Sequence, residues 1–519
     1  MILGKPQFTL EEVTVTECNR IKSLFPASVA KDNIQRLDVS SCAESVEIVA
    51  NNEVAKKEEN KEVTIFTKLT SLTLTDLPYL KSICSEMQII DASDVDSFEN
   101  SSSCVLLPSY LLPCLGKLKQ LHVEKCDFVE AIFDVIDVPT PDANIIVIPL
   151  ETLILKQLPN LSHIWNNDPN GSLSFTLEEV TISECKSIKS LFPASVAKDN
   201  IEKLDVLATN SPSSQSSYPQ DRDIITIENH SILSTGTVAP NLVKLSLNKE
   251  DIITGEKELL HVDLQNIETL TLQNFHDESD VFPNDFFWKV SLPNIQKLQL
   301  TGSAFEELFQ SKRPEIEQLT KILSRLKKLK LKNLYKLKSI GLEQSWVALL
   351  LENLNVLKVL ECSSLTNLVP PTVQSFSGLT ELHVEGCAGL KYLFTSSTAK
   401  GLVALDELSV SNCELLETVV LHEESDKPED HVIFPELWDL SLSKLPRLAS
   451  FYTGNSTLKF RWLMYVSISQ CKSMETFSYG NLVAHKLNPV DIDEDQWSKV
   501  DLNTAIHQQF EKGKEATLS

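Results

Sequence analysis

Cysteine is the residue type in this sequence best suited to chemistry, because thiolates bind metals and act as nucleophiles. The chain has 11 cysteines and 10 histidines but no C-x-x-C, H-E-x-x-H or G-x-S-x-G motif. One cysteine per copy of a repeated pattern is typical of a small buried side chain. We therefore predict no catalytic residue, metal site or cofactor, and expect no enzyme activity. Eight cysteines share that repeated position: Cys18, Cys42, Cys126, Cys185, Cys362, Cys387, Cys413 and Cys471.

Lysine is concentrated between Lys289 and Lys338 in an otherwise acidic chain. The formal net charge of -25 argues against general binding to nucleic acids or anionic membranes. Lysines on the outward positions of predicted strands could attract an acidic protein partner, or could form an ordinary solvated surface that balances acidic loops. The candidate protein-binding surface comprises Lys297, Lys328, Lys330, Lys332, Lys358, His383, Glu385 and Tyr465.

Tyr465 is included because two tryptophans, Trp438 and Trp462, lie close to it in the sequence. Aromatic side chains often anchor protein partners. The alternative interpretation is that these rings are partly buried in ordinary packing.

These residues are carried by a pattern that recurs along the whole chain, L-x-x-L-x-L-x-x-(C or L). It begins with Leu10/Val13/Val15/Cys18 and closes with Leu463/Val466/Ile468/Cys471, with Ile or Val sometimes replacing Leu. In x-L-x-L-x the two apolar residues point to one face of a strand and their neighbours point to the other. A short strand cannot bury its apolar face alone, so each copy must stack on the next.

The sixteen copies mostly follow one another at intervals of about 24 to 35 residues, which suits one strand and one return segment per coil. We predict an α/β leucine-rich-repeat solenoid with a parallel sheet on the concave face and short helices or loops on the convex face. The predicted organisation is a first block of repeats that starts in mid-repeat, a polar mobile loop, a second block of repeats and an acidic C-terminal tail. Their respective bounds are 1–206, 207–237, 238–480 and 481–519.

Return segments carry a second motif, Ile-Lys-Ser-Leu-Phe-Pro-Ala-Ser-Val-Ala-Lys, at 21–31 and again at 188–198. The proline in each copy suits the first turn of a short helix. A looser copy spans 390–400. The N-terminal residues lack the apolar run of a secretory signal, so we expect a cytoplasmic protein.

These motifs resemble the leucine-rich-repeat region of plant intracellular immune receptors that carry nucleotide-binding and leucine-rich-repeat domains, particularly the coiled-coil class. The L-x-L-x-x-L-P-x-L variant at 72–80, 153–161 and 440–448 and the tail at 497–510 point to the same family. The chain departs from it in lacking a G-x-x-x-x-G-K-[S/T] phosphate loop, so no ATP or ADP site can be assigned.

The resemblance implies a region that senses a pathogen effector or a guarded host protein in the defence response. It also implies contact with a nucleotide-binding domain of the same receptor, and the expected partner is therefore a protein rather than nucleic acid or membrane. The alternative is a free-standing leucine-rich-repeat adaptor or decoy that assembles protein partners.

Overall fold

A computed structural model describes most of the repeat strands and their turns, in two compact units, Met1–Asn266 and Ile267–Ser519. The described residues are 11–26, 34–50, 65–84, 104–135, 145–169, 173–185, 187–188, 196, 201–207, 242–248, 264–275, 292–306, 308, 321–322, 324–340, 350, 352–368, 377–423, 432–487, 490–493, 495–497 and 501–518.

Each of the sixteen predicted copies forms one five-residue strand. Within each unit, consecutive strands of this set pair in parallel, for example Leu121 with Leu153 and Leu357 with Leu382. The first unit contains β1 (Glu12–Thr16), β2 (Arg36–Ser40), β3 (Ser71–Thr75), β4 (Gln120–Glu124), β5 (Thr152–Lys156), β6 (Glu179–Ser183), β7 (Lys203–Leu207) and β8 (Lys244–Asn248).

The sheet strands of the second unit begin with one of the same kind and end with an antiparallel pair, in which Val490 is opposite Trp497. Its strands are β9 (Thr269–Gln273), β10 (Lys297–Thr301), β11 (Lys328–Lys332), β12 (Val356–Leu360), β13 (Glu381–Glu385), β14 (Glu407–Ser411), β15 (Asp439–Ser443), β16 (Tyr465–Ser469), β17 (Val490–Ile492) and β18 (Asp495–Trp497).

The alternation of side chains along these strands explains the stacking. In β13, Leu382 and Val384 are buried, whereas Glu381, His383 and Glu385 lie on the opposite, more accessible face. The same in-and-out alternation holds in β3, β5, β9 and β10. Each strand thus buries a stripe of apolar side chains against its neighbours, and that burial is the main stabilising term in such a core. We call the accessible side, which bears the first, third and fifth positions, the strand face.

A sharp turn after the five-residue strand directs the next residue inward. The turning residue has a positive φ, which is uncommon outside glycine and asparagine. Eight coils have a cysteine after this residue, and six of these cysteines are buried. The Sγ of Cys126, for example, donates to the carbonyl oxygen of Glu124 two residues earlier, at 3.4 Å. Positive φ occurs after fourteen of these strands, at Glu17, Ser41, Asp76, Lys125, Gln157, Glu184, Asn274, Gly302, Asn333, Glu361, Gly386, Asn412, Lys444 and Gln470.

The return segments add short strands that pair from coil to coil. In the first unit these are Ser23–Pro26, Glu47–Ala50 and Ser82–Cys84; Val105–Leu107, Ala131–Phe133 and His163–Trp165; and Ile146–Ile148 and Leu173–Phe175. In the second unit they are Tyr392–Thr395, Thr418–Leu421 and Ser450–Tyr452; and Val432–Phe434, Leu458–Phe460 and Leu482–Ala484.

Helices are few among the described residues. A 3-10 helix spans Ser109–Leu115, α1 spans Ser396–Lys400 and α2 spans Leu502–Leu518. The looser copy of the return motif therefore contains the expected short helix, which Thr395 caps by accepting a hydrogen bond from the Thr398 amide. In the first copy Pro26 ends a strand, and residues 27–33 lie outside the described part.

Residues assigned to the acidic tail continue the second unit. Ser467 pairs with Asp491, so β17 extends the sheet beyond β16. The Asn503 side chain in α2 accepts hydrogen bonds from the amides of Phe477 and Ser478 at 2.9 and 3.0 Å. Apart from its first residue, the predicted loop at 207–237 lies outside the described residues, and the predicted domain bounds stay predictions. The predicted α/β leucine-rich-repeat solenoid is confirmed.

Candidate functional site

The strand face of the second unit carries the lysines singled out in the sequence. Because the strands are in register, outward residues of neighbouring coils form rows across the sheet. Lys297 is directly opposite Lys328, and Lys330 is directly opposite Lys358. Lys332 ends β11, beside Thr301. The structure therefore brings together these five residues, Lys297, Lys328, Lys330, Lys332 and Lys358, which we call the lysine stripe.

Like charges directly opposite in a sheet repel each other and destabilise the pair. Within the described part of the chain, no carboxylate forms an ion pair with Lys328, Lys330, Lys332 or Lys358. Lys328 is exposed, and the other three are half-buried by their neighbours. The stripe is thus a concentration of positive charge on a chain whose net charge is -25.

An acidic row adjoins the lysine stripe. The first positions of β13, β14 and β15 are Glu381, Glu407 and Asp439, and the register places them opposite one another in that order. Burial raises the pKa of the Asp439 carboxyl above its ordinary value, and the nearby charge of Asp406 adds to this effect. The sequence interpretation missed these three residues, although each occupies the outward position before the first leucine of its strand.

His383 lies where the two charge regions meet. It is opposite Lys358 on one side and Ser409 on the other. Its Nε2 is 3.4 Å from Glu407 Oε1 and 3.9 Å from Glu381 Oε2. His383 therefore joins the lysine stripe to the acidic row.

Glu385 is farther from the lysines than its place on the strand face suggested. It is exposed at the fifth position of β13, opposite Leu360, which in turn separates it from Lys332. Glu385 therefore lies one strand beyond the end of the lysine stripe.

Tyr465 belongs to a separate aromatic patch. It starts β16 opposite Asp439, and its ring packs edge-to-face on Trp438 with the centroids 5.4 Å apart. Tyr465 and Trp438 remain 53% and 45% exposed, so this packing leaves much of both rings accessible. Trp462 packs instead with Lys486, whose Nζ lies 3.2 Å from the ring centroid. Three strands separate β16 from β12, so Tyr465 is not part of the lysine stripe.

The repeated cysteines are structural. Six of the eight are buried, whereas Cys18 and Cys471 are half-buried. Burial raises the pKa of the Cys126 thiol to about 12 and of the Cys185 thiol to about 11, which disfavours the reactive thiolate. These thiols pack as small side chains and donate weak hydrogen bonds to carbonyl groups, for example from Cys185 to Leu155 O at 3.8 Å.

The fold and the strand face define a leucine-rich-repeat scaffold, a class of repeat architecture that presents an extended binding surface. The family model for the leucine-rich repeats of plant disease resistance protein RPS2-like matches residues 94–211, 241–375 and 371–488, which is more than half of the 519 residues. The chain belongs to this family. Membership supports a defence-related role in protein interaction, and the repeats themselves are an interaction scaffold rather than a catalytic one.

Among curated proteins, no sequence matches this chain. A solved structure with similarity is the plant peptide hormone receptor RGFR1 in complex with RGF2. It is 11% identical, with coverage of 92% of this chain and 81% of that one, at a TM-score of 0.24. No helix in the described ranges is long and apolar enough to cross a membrane.

Proposed function

We propose that this chain is the protein-recognition region of a plant immune receptor, and that the lysine stripe contacts an acidic surface on the recognised protein. The recognised protein is a pathogen effector or a guarded host protein, and recognition takes place in the cytoplasm. Family membership supports the general role. The lysine stripe is the observation that supports this particular surface.

The charge pattern supports an acidic partner. Lysines on β10, β11 and β12 form adjacent rows. The chain as a whole carries a net charge of -25 and repels other acidic proteins, but this group of lysines would attract them. Complementary charge of this kind sets orientation and accelerates association more than it raises affinity. The acidic row that begins at Glu381 limits the attractive region on one side and would repel a partner docked in the wrong register.

Stability also supports a functional origin for the stripe. The paired positions Lys297–Lys328 and Lys330–Lys358 place like charges opposite one another, and the fold alone requires only that these positions be compatible with a strand. In the second unit, later coils place neutral residues in the row of Lys330, namely Ser409 and Ser441. A binding role would offset the resulting repulsion when an acidic partner docks.

The test reverses the charge of the stripe in the full chain. The variant Lys328→Glu/Lys330→Glu/Lys332→Glu and the wild type are expressed with a tag in leaf tissue, and proteins retained on each are compared by quantitative mass spectrometry. We expect retention of an acidic protein to fall at least tenfold. Raising the salt from about 0.1 to 1 M, which shortens the Debye length from about 10 to 3 Å, should release the same protein from the wild type.

A matched control separates the stripe from net charge. Lys117, Lys391 and Lys472 are exposed and lie outside the five-residue strands. Replacing these three with Glu changes the net charge by the same amount and should leave retention unchanged. If the stripe variant retains the same proteins as the wild type, with an unchanged circular-dichroism spectrum, the proposed surface is wrong. If the retained protein is a nucleotide-binding domain, the stripe serves contact within the receptor instead of sensing.

A further inference from the structure

Three side chains with metal-binding atoms converge on the strand face of the second unit. Glu381 and His383 are the first and third residues of β13, so they point to the same side of the sheet. Glu407 begins β14 and is directly opposite Glu381. One atom from each of the three side chains can be chosen so that all lie within 4.8 Å of one another.

Among the residues that the structure describes, the imidazole nitrogen of this group has no hydrogen-bond partner. His383 Nε2 is shielded from solvent, and the imidazole as a whole is 22% exposed. A shielded nitrogen without a partner is destabilising, because it has lost water without a replacement. Neither Glu381 nor Glu407 hydrogen-bonds to it, although their carboxylates lie only 3.9 and 3.4 Å away. The nitrogen therefore lies close to two carboxylates without hydrogen-bonding to either.

We propose that Glu381, His383 and Glu407 bind a divalent transition-metal ion of the zinc class. One imidazole nitrogen and two carboxylate oxygens are ligands that Zn²⁺ accepts, whereas Mg²⁺ and Ca²⁺ prefer oxygen alone. Two carboxylates also balance the charge of a divalent ion. Three protein ligands leave at least one coordination position for water.

The distances suit such an ion after small side-chain movements. Around a tetrahedral ion with bonds of about 2.0–2.2 Å, ligand atoms are about 3.4 Å apart. The two distances from His383 Nε2 are 3.4 and 3.9 Å. Glu381 and Glu407 are 40% and 43% exposed, so their carboxylates can rotate toward a bound ion without disturbing the core.

A lysine of the stripe lies on the other side of the histidine. Lys358 is opposite His383 in β12, whereas Glu407 and the next acidic residue, Asp439, lie beyond it in β14 and β15. The ion would thus lie on the side of His383 that bears the acidic row, away from the lysine stripe. This inference does not depend on the proposed function, because the three ligands all belong to this chain.

A natural comparison exists within the same chain. His122 occupies the equivalent position in β4, but its Nε2 is 3.2 Å from Glu124 Oε2, and the residue facing Gln120 in the next strand is Thr152. This histidine already has a partner and lacks the second flanking carboxylate. The His122→Gln variant is therefore a matched control for the loss of one imidazole.

The test is isothermal titration of the full chain with ZnCl₂, after exposed thiols have been alkylated with N-ethylmaleimide so that cysteine does not compete. The wild type, His383→Gln, Glu407→Gln and His122→Gln are compared, and MgCl₂ is titrated separately. We expect one equivalent of Zn²⁺ that binds at least tenfold more weakly in the first two variants, since even changes outside the ligand shell cost about 10–100-fold. His122→Gln should bind like the wild type, and Mg²⁺ should not bind.

Two results would overturn the proposal. One is an absence of Zn²⁺ binding to the wild type. The other is wild-type affinity in both His383→Gln and Glu407→Gln, which would place the ion elsewhere in the chain. Far-UV circular dichroism and thermal melting establish that each variant is folded, which is expected because both substituted side chains lie on the strand face.

Discussion

Strands β4 and β13 have nearly the same sequence, Gln-Leu-His-Val-Glu and Glu-Leu-His-Val-Glu, but they present different surfaces. Their inward residues are equivalent: Leu121, Val123, Leu382 and Val384 are at most 1% exposed. Each strand is followed by a residue with positive φ and then by a buried cysteine. The two strands and the turns that follow them therefore present equivalent residues to the core.

Their outward residues meet different neighbours. His122 hydrogen-bonds Glu124 of its own strand, and the residues facing Gln120 are Ser71 and Thr152. His383 instead faces the Glu407 carboxylate of the next coil. The comparison shows that the inward residues of a repeat define the scaffold, whereas the chemistry of the strand face depends on which residues the adjacent coils supply.

The largest expected effect concerns the buried leucines that occupy equivalent positions in β4 and β13. Leu121→Ala and Leu382→Ala each remove a side chain that is fully buried, and each should lower the free energy of unfolding by about 2–5 kcal/mol. Urea unfolding followed by circular dichroism measures both. Gln120→Ala, at an exposed position, is the control and should change stability by no more than about 0.5 kcal/mol. A large loss in only one leucine variant would show that the two coils are not equivalent inside.

A second prediction transfers the outward chemistry of β13 to β4. Gln120→Glu together with Thr152→Glu places two carboxylates around His122 in the register of Glu381 and Glu407. We expect a second equivalent of Zn²⁺ in calorimetric titration. The control variant, Gln120→Glu with Ser183→Glu, has the same net charge. Its second carboxylate lies in β6, two strands from His122, so it should bind no additional Zn²⁺. If the first pair also adds none while the native site binds, the register alone does not make the site.

The smallest expected effect concerns the buried thiols of Cys126 and Cys387, which should be equally unreactive toward iodoacetamide. The pKa of Cys126 is raised to about 12 by burial, and that of Cys387 to about 12 by a hydrogen bond with Cys362 and by burial. At pH 8 about one thiol in 10,000 would be ionised, against about one in ten at the ordinary value of 9.0. Mass spectrometry after brief iodoacetamide treatment should find both unmodified, whereas the half-buried Cys18 and Cys114 should be modified before them. Fast native labelling of either buried thiol would contradict their assignment as packed side chains.

Much of the fold could be predicted because its signal is local. The spacing of Leu72 and Leu74 alone predicts a strand with one buried face, and the same spacing recurs in every copy. The turn after each strand was harder to predict from the sequence, because its residue type varies. The positive φ is adopted by Lys125 and Glu361 as well as by Asn274 and Gly386, which favour it. Packing of the coil overrides the local preference of the individual residue.

The candidate surface was predicted only in part. The lysines at 328, 330 and 332 could be assigned to one strand face from the sequence, since residues two apart in a strand point to the same side. Glu381 and Glu407 were not recognised, because a single outward glutamate in a repeat looks like an ordinary solvated residue. Their significance depends on their distances to His383.

The sequence by itself determined which residues point inward and which point outward, because the alternation of apolar and polar side chains in a strand is set by the backbone over two residues. Only the tertiary structure decided which outward residues become neighbours. Return segments of different lengths separate the coils, and the pairing of Glu381 with Glu407, or of Lys330 with Lys358, is fixed when the strands hydrogen-bond in register. Burial of the leucines sets that register, since a shift by one residue would expose the core side of the strand.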